Sequence, residues 1–159
     1  MYILVMLSPV SGFKNYIINS DGVIYSQKGE MKQQIINSYK QIGLRNGKLN
    51  FFSVHRLVYQ HFGKDWNPEM SIDHINGDRA DNRIENLRMA TRQQQSFNKG
   101  VQKNNKLGVK GVHQIGNKYQ ARICINKKLK VLGRFDTIEE ASEAYQTKAK
   151  ELHGEFYRG

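Results

Sequence analysis

The apolar runs of this chain are short, and turn residues break nearly all of them. In residues 1–69, Tyr16-Ile17-Ile18 leads into Asn19-Ser20-Asp21-Gly22 and then Val23-Ile24-Tyr25. An Asp-Gly pair between two such runs is the turn of a tight hairpin. Ile42-Gly43-Leu44 and Leu49-Asn50-Phe51-Phe52 repeat the arrangement around Asn46-Gly47. The period then lengthens. Val54, Leu57, Val58, His61 and Phe62 fall at helical spacing, and Gly63 stops them. A small sheet closed by one helix is expected here. With 38% hydrophobic residues in a chain of 159, one medium domain or two small ones can form, but not one large core.

Two further regions follow. Residues 70–98 read as a strand over 70–76, a turn at Gly77-Asp78, a loop over 82–86, a strand over 87–90 and a short helix to about Asn98 that Thr91 can cap. So small a unit needs a bound ion or neighbouring structure to hold it. Residues 99–108 are polar with two glycines and read as a linker. Residues 109–159 predict strands over 109–115, 118–125 and 129–135, with turns at Gly116-Asn117 and Asn126-Lys127-Lys128. Thr137 and Glu140 then form a capping box. Ile138, Ala141, Tyr145, Ala149 and Leu152 make an apolar helical stripe that ends at His153-Gly154. The fold class expected is α+β: a first domain over 1–98, a linker over 99–108, and a three-stranded antiparallel sheet with one packed helix over 109–159.

Charge narrows the partner. Lys and Arg total 25 against 14 Asp and Glu, a net charge of +11. Residues 86–135 contain no acid at all. A solvated surface mixes signs, so this run argues for a phosphate-facing surface. Lys110, His113, Lys118, Arg122, Lys130 and Arg134 are the candidates for an exposed basic sheet face, and Arg88 and Arg92 can reach a phosphate. Double-stranded DNA is the expected partner, because a two- or three-stranded sheet fits its major groove. An RNA-binding role is disfavoured, since no ladder of exposed aromatics is present for base stacking. Nothing calls for a protein partner, and a monomer or weak dimer is expected. Cys124 is the single cysteine, which excludes an intrachain disulfide and a Cys-based zinc cluster. Residues 2–7 are apolar but lack a basic flank and are too short for a signal peptide or membrane span. The expected location is therefore intracellular: the cytoplasm, or the host cytoplasm for a phage-encoded chain.

The densest chemistry lies in Asp73-His74-Ile75-Asn76-Gly77-Asp78 and Asn82-Arg83-Ile84-Glu85-Asn86. Asp73 is a hard oxygen ligand suited to Mg²⁺, and His74 can serve as a general base near neutral pH. Asn86 can hold the loop or orient the imidazole. Strand alternation puts Asp73 and His74 on opposite faces, and they share one site where the following helix packs across the strand end. Taken alone, such a pair is more often structural, and the density of Asn, Asp and Gly suits turn chemistry. His55 and His61 read as helix surface or as satisfied core histidines.

These residues carry a family resemblance. Val54-His55-Arg56-Leu57-Val58, Asp73 to Asp78, and Asn82-Arg83-Ile84-Glu85-Asn86-Leu87-Arg88 resemble, in that order, the HNH homing endonucleases of phages and mobile introns. The resemblance covers residues 54–98 and weakly residues 15–26. It implies a ββα-metal fold holding one divalent ion, Mg²⁺ or another such as Mn²⁺. Asp73 would be a metal ligand, His74 the general base, and Asn86 the Asn that braces the loop. The second metal ligand, usually Asn or His in that family, falls at Gln95. The C-terminal residues Gly108-Val109-Lys110-Gly111-Val112, Lys118-Tyr119-Gln120-Ala121 and Leu132-Gly133-Arg134-Phe135-Asp136-Thr137, with Glu140, Ala141, Ala144 and Tyr145, resemble the AP2 DNA-binding domain, which implies that strands face DNA. A metal-dependent DNA endonuclease is the function implied. The alternative is a non-cleaving DNA-binding protein with a degenerate HNH fold, the reading that Gln95 favours.

Overall fold

The computed structural model describes residues 5–102, 104–125 and 127–158. Asn126 of the expected turn, Lys103 of the basic run and the first residues of the apolar 2–7 segment lie outside them. The fold is mixed α+β, built of small antiparallel sheets, and it divides into two units, residues 1–92 and 93–159.

The first unit opens with four short antiparallel strands in sequence order: β1 (Leu7–Pro9), β2 (Tyr16–Asn19), β3 (Ile24–Ser26) and β4 (Gly29–Glu30). Strands β2 and β3 are the hairpin expected at Asp21-Gly22. A second sheet follows, β5 (Gln34–Ile36), β6 (Tyr39–Asn46) and β7 (Lys48–Ser53), with β6 and β7 turning at Gly47, where φ is 72°. β1, β4 and β5 were not foreseen, being two or three residues long. Helix α1 (Val54–Phe62) buries Val54, Leu57 and Val58 at the helical period. It stops at Gly63, which turns to an extended backbone while its amide still bonds the Tyr59 carbonyl at 2.8 Å, and where a Cβ would lie 2.4 Å from the Tyr59 ring.

A two-stranded ribbon completes the unit. β8 (Ser71–His74) pairs with β9 (Leu87–Ala90), and the register places Asp73 opposite Arg88 and His74 opposite Leu87. The strand expected over 70–76 ends at His74, where the Gly77 amide bonds the His74 carbonyl at 2.8 Å and turns the chain. One core joins these parts. Ile18, Ile24, Ile42, Leu44 and Val58 from the sheets and α1 pack with Ile72, Leu87 and Met89 from the ribbon.

In the second unit, α2 (Arg92–Phe97) follows the ribbon, and the division between units falls just inside its first residue. Three antiparallel strands come next, β10 (Val112–Ile115), β11 (Lys118–Ile125) and β12 (Lys128–Phe135). β10 begins later than the expected residue 109 because Gly108 and Gly111 turn the chain at φ of 70° and 68°. Gly111 also admits no side chain, since a Cβ would lie 2.0 Å from a Tyr145 ring carbon. Helix α3 (Ile138–His153) starts with both arms of the Thr137/Glu140 capping box in place. It buries Ala141 and Ala149 and packs Ala144 and Tyr145 onto Val112 and Ala121 of the sheet. Leu152, the last member of the expected stripe, is 38% exposed. Beside it the His153 ring stacks on Phe97 at 3.6 Å, tying α2 to the end of α3. No helix among the described residues is long and apolar enough to cross a membrane.

Candidate active site

The loop that joins β8 to β9 is held by side-chain amides. The Asn86 Oδ1 atom accepts the Asn76 backbone N–H at 3.0 Å. The Asn86 Nδ2 group donates to Asn76 Oδ1 at 3.0 Å and to the Asp81 carbonyl at 2.8 Å. The Asn86 carbonyl accepts the Ile75 amide at 2.8 Å. Of the two roles open to Asn86, these bonds assign loop bracing. Arg83 clasps Asp81 at 2.8 Å, and hydrogen bonds from Arg83 hold the Asp81 carboxyl down at about 2.

Asp73 and His74, successive residues of β8, have different partners. Asp73 is buried, and its Oδ2 atom accepts Arg88 Nε at 3.0 Å and Arg88 Nη2 at 2.8 Å. Arg88, expected to reach a phosphate, is therefore engaged by the site's own carboxylate. His74 is 4% exposed, and its Nε2 atom lies 3.0 Å from Asn82 Oδ1. An amide oxygen only accepts, so in the neutral imidazole Nε2 carries the proton and the basic lone pair is on Nδ1. Asn82 reaches this position over the Asp21-Gly22 turn, where Gly22 sits at φ 85° with its missing Cβ 3.0 Å from Asn82 Cβ.

Rings surround the imidazole. His55 of α1 stands edge-on to it at 5.4 Å, and Tyr39 of β6 lies 5.1 Å from His55 and 6.0 Å from His74. Arg79 lies over the Tyr39 ring at 5.0 Å. Burial, reinforced by His74 and Arg56, pushes His55 down to about 4, so its ring is neutral at neutral pH. Its Nδ1 atom is buried without a hydrogen-bond partner. His55 thus joins the site rather than the helix surface. His61 is satisfied as expected, by the Leu57 carbonyl at 2.8 Å and the Ser11 amide at 3.0 Å. Sequence reasoning missed Tyr39 and the role of Asn82. The Asn82 signal lay within the recognised motif, whereas Tyr39 arrives by tertiary pairing alone.

The remaining candidates lie on or after the ribbon. Arg92 is exposed, and Gln95 lies half-buried on α2. In the C-terminal sheet, His113, Lys118, Arg122 and Arg134 share one face by register. Lys118 is bridged to Asp136 at 2.6 Å. Lys110 precedes β10 in a turn, bonded to the Arg158 carbonyl and lying 5.3 Å from the Tyr157 ring. Lys130 is a correction. The register shifts between Ala121 and Arg122, leaving Leu132 as an extra residue, and this bulge flips the parity of β12. Lys130 then pairs with buried Ile123, on the opposite side of the sheet from Arg134.

A family model described as HNH endonuclease matches residues 52–97, the stretch that carries His55, Asp73, His74, Asn82, Asn86 and Gln95. An HNH endonuclease of Acanthamoeba polyphaga mimivirus is 33% identical over 131 residues, which cover 79% of this chain and 68% of that protein. The chain belongs to the HNH endonuclease family. Another relative, the DNA endonuclease I-HmuI of Bacillus phage SP01, is 36% identical over 87 residues, spanning 52% of this chain and 50% of the phage enzyme. A solved structure of the HNH homing endonuclease I-HmuI, concerned with its DNA binding and cleavage, matches with a TM-score of 0.56 and 25% identity, covering 93% of this chain and 91% of the other. The HNH match ends at Phe97, before the C-terminal sheet begins.

Proposed function

We propose that this chain is a homing-endonuclease-like enzyme that hydrolyses phosphodiester bonds in duplex DNA, with residues 109–159 serving as an AP2-like module that holds the substrate. The observation that carries the reading is the state of His74. Its Nε2 atom lies 3.0 Å from the Asn82 amide oxygen, which favours the tautomer with a basic Nδ1, and the neighbouring residue is a buried carboxylate.

The donor set suits a hard divalent cation. Asp73 supplies a carboxylate, and Mg²⁺ is commonly bound through one or two carboxylates with phosphate oxygens and water. Mg²⁺ or Mn²⁺ would be held through Asp73, with phosphate oxygens and water, and would stabilise charge on the phosphate and leaving oxygen. His74 takes the proton of the attacking water through Nδ1. Arg88 fixes the Asp73 carboxylate by two bonds to one oxygen. Asn86 keeps the loop closed, and His55, Tyr39 and Asn82 confine the imidazole.

Supercoiled plasmid tests this with Mg²⁺ or with EDTA. The wild-type chain nicks or linearises it only with the cation. His74→Ala abolishes cutting while duplex affinity stays nearly unchanged. A variant that still cuts removes His74 as the base. A wild-type chain that binds plasmid without cutting it returns the chain to the non-cleaving reading, and preference for RNA in competition would end the DNA assignment.

A further inference from the structure

The sheet of the second unit has one face covered by α3, where Val112, Ala121 and Ile123 are buried. The register lays out the other face in rows: Ile115 with Lys118, then His113, Gln120 and Arg134, then Arg122 with Val131, and finally Cys124 with Leu129. An outward sheet face is ordinarily polar. Here Leu129 is 62% exposed, Val131 51% and Ile115 43%. The bulge at Leu132 puts Val131 and Leu129 on this side, where regular alternation would have put Lys130.

Three features specify what covers the face. Its charges are positive apart from Asp136, which bridges Lys118 at the edge, since residues 86–135 contain no acid. Arg122 stands beside Val131, and its Nε donor is buried without a hydrogen-bond partner. The aliphatic side chains lie within this cationic surface rather than apart from it. A partner must therefore be anionic, offer hydrogen-bond acceptors, and present small apolar groups among them. The major groove of duplex DNA does so through thymine, whose 5-methyl group is exposed there and nowhere else on the duplex.

We propose that Val131 and Leu129 read thymine methyl groups in the major groove, with Arg122 and Arg134 donating to phosphates or base edges beside them. The inference rests on the reading of this unit as the DNA-holding module. Val131 and Leu129 are two residues apart on one strand, about 6.7 Å. That spacing corresponds to roughly two base-pair steps of 3.4 Å. The target therefore holds two closely spaced thymines.

The test uses the full chain in EDTA, which suppresses cutting. A duplex is selected from a random library and then resynthesised with deoxyuridine replacing each thymidine in turn. Loss of a contacted methyl weakens binding about fourfold, the change expected for one buried methyl group. Val131→Ala abolishes the thymine-uracil difference at one position and Leu129→Ala at another, with the circular dichroism spectrum unchanged. The inference is overturned where thymine and uracil duplexes bind alike, where the selected site lacks thymine, or where the difference survives in both variants. Failure of the underlying reading looks different: binding is then indifferent to Arg122→Ala combined with Arg134→Ala and shows no salt dependence.

Discussion

Replacing Asp73 with Asn removes one charge and keeps the shape, so it exposes the energetic role of the Asp73–Arg88 pair. The side chains are 10% and 12% exposed, so neither charge is well hydrated once its partner is gone. Breaking a buried pair from one side costs about 3–5 kcal/mol, because the other charge is left uncompensated. Both Arg88 donors share a single oxygen, at 3.0 and 2.8 Å, and the side chains keep some access to water, which places this pair near the lower end. Asp73→Asn should therefore cost about 3 kcal/mol, and Arg88→Met about the same. The double variant buries no charge, so it should cost less than either single variant, far below the sum of the two. Urea unfolding at neutral pH reads this through Trp66, the chain's one tryptophan, which packs against the core of the first unit. With a slope near 2 kcal/mol per molar urea, each single variant moves the midpoint down by roughly 1.5 M. Single losses below about 1 kcal/mol that simply add would refute the argument, since they are what a solvated surface bridge gives.

Two other perturbations probe the imidazole cluster. Gly22→Ala forces a side chain into φ 85° and to 3.0 Å from Asn82 Cβ, so it should lower the plasmid cleavage rate severalfold while duplex affinity holds. An unchanged rate would remove Asn82 from the positioning of His74. For His55, held at about 4 by burial, His74 and Arg56, the unfolded chain gains a proton below 6.5 while the folded one does not. Stability from this group is therefore complete above pH 6.5 and is lost as the pH falls towards 4, by about 2 kcal/mol at pH 5. The urea midpoint of the wild type should drop between pH 7 and pH 5 more than that of His55→Gln, and equal drops would show that His55 is solvated.

The parts legible in the sequence were those with local causes. The Asn46-Gly47 hairpin, the α1 period ending at Gly63, and the Thr137–Glu140 box are set within a few residues, and each is present. Asp73, His74 and Asn86 stood out for the same reason, as a dense polar loop between two short strands. What stayed hidden is non-local. Tyr39 and His55 come to His74 through the packing of β6 and α1, which leaves no periodic trace. The Arg88 pairing could have been drawn from the hairpin itself, since strands 71–74 and 87–90 in register set a cation opposite Asp73. The Lys130 expectation assumed unbroken alternation along β12, and one unpaired residue was enough to reverse it.

That single residue behaves like a shift of reading frame. Upstream of Leu132, β12 shows the outside the side chains that an uninterrupted strand would turn inward, while β11 keeps its order. A one-codon loss in this stretch would exchange aliphatic groups for lysine on the exposed surface. Relatives differing by such a step could then favour different targets on the same scaffold.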